Sequence, residues 1–147
     1  MTVRVANRTE SRAHDLAAAV RAGPDGPTDT VDGRTGTTDP ATTGHGLDEL
    51  PALLAGADVL VNATSVGMEA DASPVPAEAL HADLGVLDAV YSPLETRLLR
   101  DAAGAGATTV DGARMLLYQG VEAFELWTDR EAPVDRMNEA LRAGLSE

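Results

Sequence analysis

Short apolar runs, each followed by a stretch of helical periodicity, constrain this chain more tightly than any other feature in it. The runs are Val3 to Ala6, Asp58-Val-Leu-Val-Asn62, Val86-Leu-Asp-Ala-Val90 and Thr108 to Val110. The first alternates; the second and third are near-continuous, the pattern of strands buried on both faces. After the first run Thr9 can cap a helix whose apolar positions Ala13, Leu16, Ala17 and Val20 recur at i, i+3, i+4 and i+7, stopped by Gly23-Pro24. Leu47 to Ala55 reads as a short helix ended at Gly56, and Thr96 to Ala105 as a helix with Leu98, Leu99, Ala102 and Ala103 inward. Two helices follow, one from Gly112 to Trp127 and one from Pro133 with Val134, Met137, Leu141 and Leu145 on one stripe. Gly23 to Gly46 is Gly-, Pro- and Thr-rich and acidic, with Val31 its only large aliphatic residue. It reads as a long loop with at most a short edge strand near Thr35 to Thr38. The alternation predicts an α/β fold over residues 1–147, a parallel sheet with helices on both faces.

Composition narrows what such a domain can bind. The formal charge is −13, from 24 acids against 11 bases, and every base is an arginine. Such a surface repels nucleic acid and anionic membranes. An acidic, lysine-free chain is similar to proteins of high-salt cytoplasm, where dense carboxylates hold water and cations screen their repulsion. The absence of cysteine excludes disulfides and thiolate metal sites. His14, His45 and His81 fall in a helix, a loop and a post-helix turn without ligand spacing, so no metal is expected. With no charged-then-apolar leader and no run near the ~20 residues that span a bilayer, the expectation is a soluble, cytoplasmic protein.

In parallel sheets ligands sit beyond the carboxyl ends of the strands, so the residues after each run matter most. After the first come Asn7, Arg8 and Thr9. Where dinucleotide-binding folds place an acid for the 2′-hydroxyl of NAD, an arginine instead suits the extra phosphate of NADP; a solvated turn would look the same. After the second comes "NATSVGM", whose small residues and Gly67 allow a ligand close to the backbone. Neither Thr64 nor Ser65 has a base and an orienting acid at a recognisable spacing, so a hydrolase nucleophile is not expected. Tyr91, after the third, either presents its phenol at the mouth of the sheet or packs. Gln119 lies in an otherwise apolar helix opened by Gly112, where its amide needs a partner.

Taken together, "NRTESRA", "DVLVNATSVGM", "LDAVYSPLETRLL" and "DGARMLLYQGVEAFELW" resemble, in order and approximate spacing, the nucleotide-binding C-terminal half of shikimate dehydrogenase, from about Val3 through Trp127. The resemblance implies an NADP-dependent oxidoreductase that reduces 3-dehydroshikimate to shikimate in aromatic amino-acid biosynthesis. It implies that Asn7, Arg8, Thr9 and Arg12 surround the adenosine 2′-phosphate and that Thr64 lines the cofactor. Ala89 would stand near the nicotinamide, where the family often has a bulkier apolar residue, and Gly112 near its carboxamide. Tyr91 and Gln119 would reach the hydroxyls of the substrate.

The resemblance also implies an incomplete Rossmann-like sheet. The first strand of the family, its Gly-rich turn and the N-terminal half with the lysine and aspartate that handle the proton have no counterpart here, so the chain alone is expected to be inactive. In the usual strand order 3-2-1-4-5-6 the missing strand is central, leaving a gap of roughly 10 Å between its neighbours. Closure of that gap, a strand supplied by a partner or second copy in a homodimer, or marginal stability would follow. The alternatives are a non-catalytic nucleotide-binding or interaction module, or a quinate-tolerant relative; Arg8 points away from the NAD-linked catabolic kind.

Overall fold

Each apolar run becomes a parallel strand. The computed structural model describes residues 2–22 and 41–145. They belong to two compact units, Met1–Leu53 and Leu54–Glu147.

In the first unit β1 (Thr2–Ala6) pairs in parallel with β2 (Ala41–His45), Thr2 opposite Ala41 and Ala6 opposite His45. α1 (Glu10–Ala22) buries Ala13 and Ala17 completely. The reason is the closeness of β2: a Cβ on Gly44 would lie 2.5 Å from the His14 amide nitrogen and 2.6 Å from the Ala13 carbonyl carbon. A seam this tight admits only small side chains. Leu16 and Val20, expected on the buried stripe, are instead 52% and 44% exposed.

Strand β2 corrects a second expectation. Ala41-Thr-Thr-Gly-His45 lies inside the segment read as loop, and His45 is therefore a strand residue. Its polar text conceals it, because the strand rests on the ladder to β1 and on buried Thr42, without an apolar run. The stop at Gly23-Pro24 and the edge strand expected near Thr35 to Thr38 lie outside the described residues.

A 3-10 turn, Leu47–Glu49, then runs into α2 (Leu50–Leu54). Glu49 Oε1 accepts from the Gly46 amide at 3.2 Å, and Oε2 lies 3.1 Å from His45 Nδ1. The His45 hydrogen bond, followed by that amide, holds the Glu49 carboxyl below its ordinary value. A carboxyl depressed in the folded state adds stability above its unfolded pKa, and that addition is lost as pH falls through the folded value. Glu49→Gln is therefore expected to lower the urea midpoint slightly at neutral pH, with the gap closing on acidification. A gap independent of pH would contradict this.

In the second unit β3 (Val59–Asn62), β4 (Gly85–Asp88) and β5 (Thr108–Val110) form a parallel sheet in that order. The pairs β1–β2, β3–β4 and β4–β5 are the neighbours that the expected order leaves once its first strand is taken out. Thr96 caps α3 (Arg97–Gly104), accepting the Leu99 amide at 3.3 Å. Leu98, Leu99 and Ala102 face inward as expected, whereas Ala103, one step round the helix, is exposed. Asp111 caps α4 (Gly112–Thr128) through the Arg114 amide at 2.7 Å and takes the Arg142 guanidinium of α5 (Val134–Leu145) at 3.1 Å. Phe124, Val134, Met137 and Leu141 pack around buried Leu117, Val121 and Ala132, joining the two helices.

Burial of β3 on both faces is not observed. Its pleat sets Val59 and Val61 on one side, 65% and 56% exposed, while Asn62 on the other side is buried. The buried side shares its rows with Val86 and Asp88, and Asp88 takes the Thr96 hydroxyl at the start of α3; the valine side is left exposed among the described residues. No described helix is long and apolar enough to cross a membrane.

Candidate functional site

Strand β1 ends on a turn that its own side chains organise. The Asn7 amide donates to the His45 carbonyl at 3.2 Å, extending the ladder one residue past the strand. Its side-chain oxygen accepts from the Thr9 amide at 2.8 Å, and the Arg12 amide donates to the Thr9 carbonyl at 2.9 Å. This Asx turn swings the chain from strand into α1, and Arg8, Thr9 and Arg12 are each exposed. The first acid of the helix, Glu10, is engaged by His14 Nε2 at 3.2 Å. Two guanidiniums and a hydroxyl at a helix start suit a phosphate ester.

In the second unit the ends of β3 and β4 build a hydrogen-bonded cluster. Asn62 and Asp88, the last residues of β3 and β4, are paired in register and both buried. Asn62 Nδ2 donates to Asp88 Oδ1 at 2.9 Å. Asn62 Oδ1 accepts from the Thr64 amide at 3.1 Å and from the Thr64 hydroxyl at 2.8 Å; that hydroxyl oxygen in turn accepts from the Val66 amide at 3.1 Å. Gly67, at φ 99°, closes the turn in the left-handed region that favours glycine.

Strand β4 leads into Ala89, Val90 and Tyr91. Tyr91 is 42% exposed. Gly112 sits against this segment so closely that a Cβ there would lie 2.5 Å from the Val90 carbonyl oxygen and 2.6 Å from that of Ala89. About two turns along α4, exposed Gln119 lines an open hollow of about 620 Å³ with Leu87, Val110, Met115 and Tyr118. No group of three or more His, Cys, Asp or Glu able to hold a metal occurs among the described residues.

Thus Asn7, Arg8, Thr9 and Arg12 follow β1 in the first unit; in the second, Thr64 follows β3, Ala89 and Tyr91 follow β4, and Gly112 and Gln119 belong to α4 after β5. What the motifs did not single out is the set Asn62, Asp88 and Thr96 that holds those strand ends. The signal for it is the asparagine that closes the second run and the acid inside the third.

A family model for the Shikimate 5'-dehydrogenase C-terminal domain matches residues 112–142. The NADP(+)-dependent shikimate dehydrogenase of Haloarcula marismortui is 62% identical over 145 residues, covering 99% of this chain and 48% of that protein. A crystal structure of a shikimate dehydrogenase in complex with NADP+ superposes with a TM-score of 0.78 at 33% identity, covering 99% of this chain and 47% of its own. Quinate dehydrogenase from Corynebacterium glutamicum, in complex with NAD, gives 0.78 at 34% identity, over 97% and 46%. The chain spans about half the length of the relatives it matches.

Proposed function

We propose, for a chain that corresponds to the C-terminal half of the shikimate dehydrogenase family, that it is the NADP-binding part of an enzyme reducing 3-dehydroshikimate to shikimate. The observation that carries this reading is the Asn7-Arg8-Thr9 turn. In a chain of net charge −13, Arg8 and Arg12 stand exposed on one turn at the start of α1. That donor set fits the 2′-phosphate, which an acid at the same place would repel.

The cofactor, when bound, supplies the hydride. Arg8, with Arg12, Thr9 and Asn7 beside it, would grip the adenosine phosphate. Thr64, Ala89 and Gly112 would line the nicotinamide end, where the missing side chain of Gly112 lets α4 begin against the Ala89 and Val90 carbonyls. Tyr91 and Gln119 would hold substrate hydroxyls through a phenol and an amide, both exposed. Hydride transfer also needs a proton for the developing alkoxide, and a lysine-free chain with no acid assigned to that task leaves it to other residues of the complete enzyme.

Isothermal titration of the chain with NADP+ and NAD+ tests the reading. Tighter binding of NADP+, with no shikimate oxidation by the chain alone, is expected; equal or tighter binding of NAD+ would overturn it. Superposition does not discriminate here, since NADP-bound and NAD-bound structures match equally well.

The acidic surface, we further propose, suits a saline cytoplasm. The melting temperature is expected to rise from dilute buffer to molar KCl, where the Debye length shrinks to about 3 Å and like charges cease to repel. A fall would refute it. A second copy is the proposed partner for the exposed Val59 and Val61 row, an association that sedimentation would show as a concentration-dependent mass.

A further inference from the structure

We propose that Asp88 is a positioning residue that sets the loop after β3 and the loop after β4 relative to each other, and through them the nicotinamide end of the site. The second half of this statement rests on the functional reading above; the first does not.

Asp88 is completely buried. A carboxylate taken out of water is costly unless donors replace the solvent. Three do, and each belongs to a different segment. Oδ1 accepts from Asn62 Nδ2 at 2.9 Å and from the Val90 amide at 3.1 Å, and Oδ2 from the Thr96 hydroxyl at 2.6 Å. Thr96 is the cap of α3, Val90 precedes Tyr91, and Asn62 is the anchor of the Thr64 turn.

The Asn62 arm carries furthest. Its amide nitrogen is held by Asp88 and also donates to the Val66 carbonyl at 3.4 Å, so its oxygen points at Thr64 and takes both the Thr64 amide and the hydroxyl. An asparagine without that partner could present either end. With it, only the acceptor end faces the loop. One carboxylate therefore orders the Thr64 side and the Tyr91 side together.

Three variants test this. Asp88→Ala removes all three bonds. Asn62→Ala removes only the arm to Thr64. Asp88→Asn keeps most of them, its oxygen accepting from Asn62 and Val90 while its NH2 group donates to Thr96 Oγ1. Amide exchange, nucleotide affinity and urea midpoints are read on the chain as it stands. In Asn62→Ala the Thr64 and Val66 amides are expected to exchange roughly tenfold faster while Leu99 is unchanged; in Asp88→Ala the Val90 amide joins them, and Asp88→Asn restores all three.

NADP+ affinity is expected to fall roughly tenfold in Asn62→Ala and in Asp88→Ala and to stay near that of the unsubstituted chain in Asp88→Asn. Affinity for 2′,5′-ADP, which carries the adenosine end alone, should stay unchanged. Equal loss for both nucleotides, or unaltered exchange at Thr64 and Val66, would overturn the proposal. If Asp88→Ala does not fold, Asn62→Ala with Asp88→Asn decides the matter. Should the unsubstituted chain bind neither nucleotide, the functional reading fails, and the exchange rates still decide whether Asp88 sets the loops.

Discussion

Gly112→Ala is expected to destabilise the Leu54–Glu147 unit by about 1–3 kcal/mol, the usual cost of overpacking. Helix propensity alone predicts the opposite sign, since alanine is favoured over glycine in a helix by about 1 kcal/mol. Space decides between them. The added methyl would meet the Val90 and Ala89 carbonyl oxygens at 2.5 and 2.6 Å, and both are backbone atoms that cannot swing aside. Relief requires α4 to move away from the end of β4, which also shifts Ala89 and Tyr91. Gly112 has an ordinary helical φ, so it is there for room and not for conformation. Gly144 in α5 is the matched control: nothing lies within 4 Å of its Cβ position, and Gly144→Ala is expected to leave stability unchanged or raise it by up to about 1 kcal/mol. Urea unfolding with an unchanged m-value would show a lowered midpoint for Gly112→Ala alone. A raised midpoint would mean that propensity outweighs the clash.

What could be read from the residues, and what could not, follows the same distinction between pattern and proximity. β3, β4 and β5 and the helices α3, α4 and α5 follow from apolar periodicity, because burial against a parallel sheet demands that periodicity. β2 was hidden because its stability comes from pairing with β1 and from the Gly44 seam, neither of which leaves an apolar trace. Val59 and Val61 are exposed for the complementary reason: an apolar run shows what a strand can bury, and the surrounding elements decide what it does bury. At the strand ends the exposed residues Arg8, Thr64 and Tyr91 stood out as chemistry. Their support did not, because Asn62 and Asp88 look like ordinary turn residues until their register places them side by side.

Arg8→Ala is expected to weaken NADP+ binding by roughly 1.5–3 kcal/mol, the range for hydrogen bonds to charged groups, or about 10- to 150-fold, with little change for NAD+. The two nucleotides differ only by a phosphate ester, so a loss confined to NADP+ reports on that group and on nothing else in the site. Arg8 is exposed at the end of β1, and the Asn7 to Thr9 hydrogen bond that shapes its turn uses no part of its side chain. Its removal should therefore leave the fold alone, a point that an unchanged urea midpoint would confirm. Arg8→Lys is the sharper comparison. It keeps the charge and surrenders the planar fork that grips two phosphate oxygens at once, so it should recover only part of the affinity. If lysine restores NADP+ binding in full, the contribution of Arg8 is long-range attraction in a chain of −13, and raising the salt should abolish it. Equal losses for NADP+ and NAD+ would remove Arg8 from the phosphate site altogether, and the choice between the two cofactors would then have to lie elsewhere in the chain.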